Sequence, residues 1–170
     1  GMKEESYENY IITLGTPDFS YLENIEVIMC ETEYDILVAF VELMQEKQPN
    51  VIIGYNIFGF DIPYMIKRSE QTMCGDFCKQ SFIKDKRCKE KVIKWSSSAY
   101  KNQEFQFLDV EGRIFVDLLP IVKRDYKFSN YKLKTISAYF LKGQTKDPLD
   151  AKGIFKCYRL GMKGGKKGEK

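Results

Sequence analysis

Apolar residues in the first third of the chain fall into short runs separated by polar turns. Three of these runs are too short for helices and predict strands, at Tyr10–Leu14, Ile25–Cys30 and Val51–Tyr55. A cluster of turn residues, Gly15 to Asp18, closes the first run. We therefore expect a sheet that includes these short strands.

The hydrophobic period changes between the second and third runs. Apolar side chains recur there at helical spacing, and they are Ile36, Leu37, Phe40, Val41 and Met44. Thr32 followed by Asp35 is typical of a capping box, and Gln48-Pro49 ends the pattern. The pattern predicts an amphipathic helix whose apolar stripe faces the core. Strands alternating with helices indicate an α/β fold class.

The stretch from Val51 to Arg68 carries the candidate chemistry. Its strand is followed by the turn residues Asn56–Gly59, and Asp61 stands where an N-cap belongs, with Pro63 in the first helical turn. A helix is predicted from Asp61 to about Glu70. Ligands bind at the carboxyl edge of open α/β sheets, which favours Asp61 as a site residue. The alternative is that Asp61 only caps the helix.

The middle of the chain has weaker periodicity. Residues 71–110 are rich in charged and small side chains, and we predict an irregular insertion there. Two apolar runs flank Gly112, Phe105–Leu108 before it and Ile114–Val116 after it. These runs predict a hairpin that turns near Gly112.

Two more helices are predicted in the last third. Asp117 follows the second apolar run, and we interpret it as the structural cap of a short helix over Leu118–Arg124. Ser129-Asn130 is expected to cap a second helix over residues 131–141, which Gly143 ends. We expect one partial domain over residues 1–150 and a flexible segment over residues 151–170, whose end is rich in Gly and Lys.

Composition narrows the function classes only slightly. The net charge of +3, from 27 basic and 24 acidic residues, is too small to establish nucleic-acid binding. Lysines cluster in residues 84–94 and 163–170, where a solvated surface is favoured over phosphate contacts. No apolar run approaches the length that crosses a bilayer, so no membrane partner is expected.

The cysteines predict reduced thiols. There are five, an odd number, and the chain has no secretory signal. Cys74, Cys78 and Cys88 are close enough in sequence to suggest zinc ligands. The chain has no histidine and no Cys-x-x-Cys pair, which disfavours zinc.

The sequence GYNIFGFDIPYMIKR resembles the second exonuclease motif of family B DNA polymerases, and Asn56, Phe60 and Asp61 match it. A second resemblance lies at GRIFVDLLPIVKRDYKFSNYKLKTISAYFLKGQTKD, residues 112–147. That segment is similar to the one that follows the β-hairpin in the exonuclease domain of delta-type and large-DNA-virus polymerases. The two matches occur in the order expected for that family.

The resemblance implies an RNase H-like fold, with a mixed sheet, flanking helices and an inserted β-hairpin, incomplete at both ends. It implies a 3′-5′ exonuclease that proofreads during DNA replication with two metal ions, Mg²⁺ or Mn²⁺. Asp61 would be the catalytic and metal-binding residue, and Asn56, Phe60 and Tyr64 would contact nucleic acid. The implied partners are a primer-template, its single-stranded 3′ end, the remainder of the polymerase chain and a processivity factor.

Two further acidic motifs of that family have no match here. An Asp-x-Glu on the first strand and a Tyr-x-x-x-Asp on a later helix are expected to be cut off upstream and downstream. Asp109 and Glu111 also have Asp-x-Glu spacing, but they follow Asp61 in sequence, so we disfavour them. We therefore expect the 170 residues alone to be inactive.

A second hypothesis remains open beside the proofreading one. The chain would then be a noncatalytic RNase H-like module that binds nucleic acid or serves as a scaffold. A polymerase of the resembled family would act in the nucleus or in a viral replication compartment, not outside the cell.

Overall fold

The computed structural model describes residues 7–17, 24–83, 86–95, 103–141 and 151–162. The chain divides into two compact units, residues 1–126 and 127–170. The strands are β1 Asn9–Leu14, β2 Ile25–Cys30, β3 Val51–Gly54, β4 Lys89–Trp95, β5 Gln103–Asp109 and β6 Ile114–Asp117. The α-helices are α1 Glu33–Lys47, α2 Ile62–Gln71, α3 Leu118–Asp125, α4 Leu133–Phe140 and α5 Ala151–Met162. A π-helical turn at Ile57–Asp61 and a 3₁₀ turn at Gly75–Cys78 complete the list. The fold is mixed α/β, and none of the described helices is long and apolar enough to cross a bilayer.

The predicted order of strand, strand, helix, strand and helix at the beginning of the chain is confirmed. β1 pairs with β2 in parallel. The capping box of α1 is present, since Asp35 N–H donates to Thr32 Oγ1 and Thr32 N–H donates to Asp35 Oδ2. Gln48 then ends the helix in the left-handed conformation, at φ 46°.

The predicted hairpin around Gly112 is wrong. β5 pairs antiparallel with β4, and β6 pairs in parallel with β3, in the register Val51 to Ile114 and Gly54 to Asp117. Gly112, at φ +83°, redirects the chain from one sheet to another. Two apolar runs beside a glycine are typical of hairpin arms, but the choice of pairing partner depends on residues far away in sequence.

The prediction of an irregular insertion over residues 71–110 is also wrong, because the hairpin of β4 and β5 lies within it. β4 has the sequence KEKVIKW, and its many charged residues are the reason that a strand was not predicted there. Two of its lysines pair with carboxylates of β5: Lys91 Nζ lies 2.6 Å from Asp109 Oδ2, and Lys94 Nζ lies 3.8 Å from Glu104 Oε2. Pairing within the hairpin supports the interpretation of this lysine cluster as a solvated surface.

The core of the first unit lies where the two longest helices of that unit meet the 3₁₀ turn and the end of β5. α1 contributes Leu37 and Val41, and α2 contributes Ile62 and Ile66. Phe77 of the 3₁₀ turn is fully buried between them, with Leu108 of β5 in the same cluster. This packing fixes the start of α2, where the candidate site lies.

A buried cation anchors the start of β6. Arg113 is only 6% exposed, and burial lowers the pKa of its guanidinium. It donates to the carbonyls of Met44 at the end of α1, of Pro49 and of Gln80, and to Gln48 Oε1. The carbonyl end of a helix carries partial negative charge, which favours a cation there. Arg113 thus joins the end of α1 to β6.

The second unit contains α4 and α5. α4 begins at Leu133, two residues later than predicted, and Asn130 Oδ1 accepts hydrogen bonds from Lys132 N and Thr135 Oγ1. α5 occupies residues where we predicted no element. The flexibility of residues 151–170 and the predicted domain boundary between residues 150 and 151 stay predictions. Residues 163–170 lie outside the described residues.

Replacing Arg113 by Lys should lower the free energy of unfolding by about 2 to 4 kcal/mol, because an ammonium cannot reach the spread of carbonyls that the guanidinium fork serves. Urea denaturation of the chain measures this. The matched control is Arg87→Lys, at an exposed arginine that donates to the Gly75 carbonyl, which should cost about 0.5 kcal/mol or less. Equal effects of the two changes would contradict the anchoring role of Arg113.

Candidate metal and nucleic-acid site

The turn after β3 is built on two close approaches that require glycine. A methyl group on Gly54 would collide with Ile57 Cγ2, and one on Gly59 would lie 2.6 Å from Asn56 Oδ1. Asn56 itself adopts the left-handed conformation at φ 64°, which asparagine tolerates better than most residues. Its carbonyl accepts hydrogen bonds from the amides of Gly59 and Phe60. Asn56 therefore is the turn residue that one of the two sequence interpretations predicted.

A carboxylate from β6 fixes this turn. Asp117 is 5% exposed, and its Oδ1 accepts from Asn56 N at 2.8 Å while its Oδ2 accepts from Phe58 N at 3.1 Å. Oδ1 also accepts from Leu119 N at 2.9 Å, which confirms the predicted cap of α3. The cap follows from the sequence pattern, whereas the two bonds to the turn do not.

The prediction that Asp61 caps α2 is wrong. The π-helical turn runs directly into α2, so Asp61 has helical backbone angles and makes no capping hydrogen bond. Its side chain is exposed, and no hydrogen bond or ion pair joins its carboxylate to another of the described residues. The structural explanation for Asp61 is thereby removed. An exposed carboxylate is the type of ligand that a hard divalent cation prefers.

Two aromatic rings lie beside this carboxylate. Phe60 is 65% exposed and Tyr64, one helical turn later, is 55% exposed. Their ring centroids are 6.3 Å apart and their planes differ by 8°, so the rings are nearly parallel. Residues three and four apart share a helix face, which brings Asp61 and Tyr64 to the same side. The structure thus brings together three of the predicted site residues.

Asn56 lies on a neighbouring groove. Its volume is about 170 Å³, and the lining residues are Asn56, Gly59, Glu104, Phe105, Leu119, Pro120 and Lys123. The groove lies between the turn, α3 and β5, and Asn56 is one of its lining residues. A contact of this amide with nucleic acid stays a prediction.

The remaining ligands of a metal pair are not found among the described residues, where no three acidic, cysteine or histidine side chains are grouped for a cation. Asp109 is paired with Lys91, and Glu111 is paired with Lys86. A role of Asp61 as one ligand of a Mg²⁺ or Mn²⁺ site stays a prediction, and the described residues do not complete such a site.

A family model described as DNA polymerase family B, exonuclease domain, matches residues 1–136. The chain belongs to this family. It is 46% identical, over 96% of its length, to DNA polymerase 120R of Invertebrate iridescent virus 3. It is also 38% identical, over 75% of its length, to the DNA polymerase delta catalytic subunit of Glycine max. The chain spans 14% of the viral relative and 12% of the plant relative.

These comparisons confirm the resemblance that the Val51–Arg68 stretch indicated. The matched exonuclease-domain residues include Asn56, Phe60, Asp61, Tyr64 and Asp117. Asp117 reaches the turn because of the register in which β3 and β6 pair. In that register, Asp117 stands opposite Gly54, the last residue of β3. An acidic residue directly after the apolar run Ile114–Val116 is the one sequence signal that could have indicated this contact.

Substitution of Asn56 tests its conformational role in the turn. The variant Asn56→Ala should be less stable than Asn56→Gly by about 1 kcal/mol, because alanine is strained in the left-handed conformation and glycine is not. Urea denaturation of the two variants gives the difference. Equal stability of the two variants would contradict a conformational role for residue 56.

Proposed function

We propose that the chain forms part of a 3′-5′ exonuclease domain with an RNase H-like fold, in a longer family B DNA polymerase that proofreads its product during DNA replication. The observation that carries the proposal is Asp61, an exposed carboxylate with no structural role among the described residues, beside two parallel exposed rings. The turn that bears it follows β3, at the carboxyl edge of the parallel pair of β3 and β6. That edge is where α/β sheets bind ligands.

Asp61 would supply one oxygen ligand to a Mg²⁺ or Mn²⁺ ion, and the other carboxylates would come from parts of the polymerase outside the described residues. When bound, such ions lower the pKa of water and stabilise the negative charge of phosphodiester cleavage. The carboxylate of Asp61 would place its negative charge at the position where the phosphodiester is cleaved. Its exposure supports this role, because a carboxylate without protein partners has no hydrogen bond or ion pair to break before it binds a cation.

The two rings would hold the frayed 3′ end. Bases stack on aromatic side chains without regard to sequence, which suits an enzyme that must accept any terminal nucleotide. Phe60 and Tyr64 are more than half exposed, so their faces are accessible to a base. Asn56 would add an amide contact at the neighbouring groove, where hydrogen bonds to sugar or phosphate position the strand.

The partners follow from this proposal. The domain would bind the primer-template, its single-stranded 3′ end and the rest of the polymerase chain, and a processivity factor would bind the whole enzyme. The site of action would be the nucleus or a viral replication compartment. The noncatalytic alternative is favoured by one observation, the absence of a three-carboxylate group among the described residues.

Asp61→Asn in the complete polymerase should reduce excision of a mismatched 3′ end by about 100-fold or more, because the charge needed at the transition state is lost. Primer extension on the same preparation should be unchanged, since Asp61 is exposed and its loss leaves the fold intact. The measurement is excision beside extension with one labelled primer. The 170-residue chain alone should not degrade single-stranded DNA when Mg²⁺ is added.

The matched control is Asp125→Asn, an exposed carboxylate at the end of α3 that pairs with Arg124. It should leave both activities unchanged. Unchanged excision by Asp61→Asn would exclude a catalytic role for Asp61, and absence of excision by the wild-type enzyme would favour the noncatalytic alternative. Equal loss of excision and extension would show that Asp61 is needed for folding.

Phe60→Ala should lower kcat/KM for excision by about tenfold, the cost of one lost base-stacking contact. Phe60→Trp should retain most of the activity, because a larger π-face replaces the smaller one. Tyr34→Ala is the control, at a partly exposed aromatic residue on α1. A Phe60→Ala enzyme with wild-type kcat/KM would show that the ring does not contact the DNA.

A further inference from the structure

We propose that Asp117 is a positioning residue for the exonuclease site, through the turn that carries Asn56, Phe60 and Asp61. This inference rests on the proposed function. The hydrogen bonds of Asp117 to the turn go to backbone amides, so it would act on the site through the backbone of the turn. Its role as the cap of α3 does not account for all of its bonds.

The geometry gives Asp117 two separate tasks. One task is the cap of α3, through the bond from Leu119 N to Oδ1 at 2.9 Å. The other is the pair of bonds from Asn56 N and Phe58 N, residues about sixty positions earlier in the chain. A cap needs only one acceptor oxygen. Both oxygens of Asp117 are used, and the second serves the turn alone.

These two bonds fix the turn at the place where its conformation is least favourable. Asn56 is in the left-handed conformation, and the π-helical turn that follows is a rare arrangement with a bond from Ile62 N to the Ile57 carbonyl. Strained backbone of this kind persists only where the surroundings overdetermine it. The buried carboxylate supplies that constraint, because each oxygen accepts one amide of the turn.

Loss of the constraint would displace Asp61 and Phe60 relative to the bound strand. Misplacement of a reacting group by about 1 Å costs on the order of 100-fold in rate. Contacts with the strand elsewhere would change little. The expected signature is therefore a loss in kcat for excision without an equal change in KM.

The test is Asp117→Ser in the complete polymerase. Serine retains a good N-cap for α3, but its hydroxyl has only two acceptor lone pairs and cannot accept the amides of Asn56, Phe58 and Leu119 together. Excision kcat should fall by about 10- to 100-fold, with KM for the mismatched primer-template and the extension rate nearly unchanged. Asp109→Ser is the matched control, at an exposed carboxylate of β5, and should leave excision unchanged.

Amide hydrogen exchange of the same protein gives a readout that does not depend on activity. In Asp117→Ser, exchange at residues 55–60 should become faster while exchange over α3 stays slow. Asp117→Asn, which keeps one carbonyl oxygen, should recover part of the protection and part of the excision rate.

The outcomes are distinguishable. Faster exchange at the turn with wild-type excision would overturn the proposal, and so would a common loss of excision, extension and protection throughout the domain. If the wild-type enzyme does not excise, the proposed function fails. The exchange measurement would then still decide whether Asp117 holds the turn.

Discussion

The arrangement of this domain depends on one buried carboxylate that accepts three backbone amides, those of Asn56, Phe58 and Leu119. A buried charge is costly unless hydrogen bonds replace its hydration, and three amide donors do so here. Those amides come from the start of a turn and the start of a helix, where no intrahelical partner exists. The carboxylate and the amides therefore satisfy each other. These hydrogen bonds join the end of β6 to the end of β3. The candidate site lies at this edge of the strand pair.

The other end of the same strand pair is fixed by the opposite charge. Arg113 precedes β6 and donates to the Pro49 carbonyl just before β3, and Ile114 N donates to the Asn50 carbonyl at 2.9 Å. The strands are only four residues long, too short to be stable as an isolated parallel pair. A cation at one end and a carboxylate at the other hold them in register. A slip of one residue would break the bonds at both ends.

With the turn held in this way, three of the candidate site residues, Phe60, Asp61 and Tyr64, remain exposed. Asp117 caps α3 and also holds the turn that leads into α2, whereas Asp61 makes no capping bond and its carboxylate is exposed. The packing of α2 rests on Ile62 and Ile66, and Phe60 and Tyr64 lie on an exposed face. Sites commonly keep side chains that cost stability, and the surrounding fold compensates for them. Here the compensation comes from two buried charged residues on β6 and beside it.

The sequence by itself determined the features that depend on neighbours along the chain. The helical period and the Thr32–Asp35 capping box located α1, β-branched runs located β1 to β3, and the Asn56, Phe60 and Asp61 spacing indicated the family. Only the tertiary structure decided which strands pair, because the partner of β6 lies about sixty residues away and adjacent apolar runs fit a hairpin equally well. β4 was not predicted, because its lysines and glutamate are typical of a solvated loop. The partners of two of these lysines lie on β5, and only the tertiary structure brings the two strands together. Whether Asp61 caps α2 was decided in the same way, because a capping bond depends on the backbone that enters the helix.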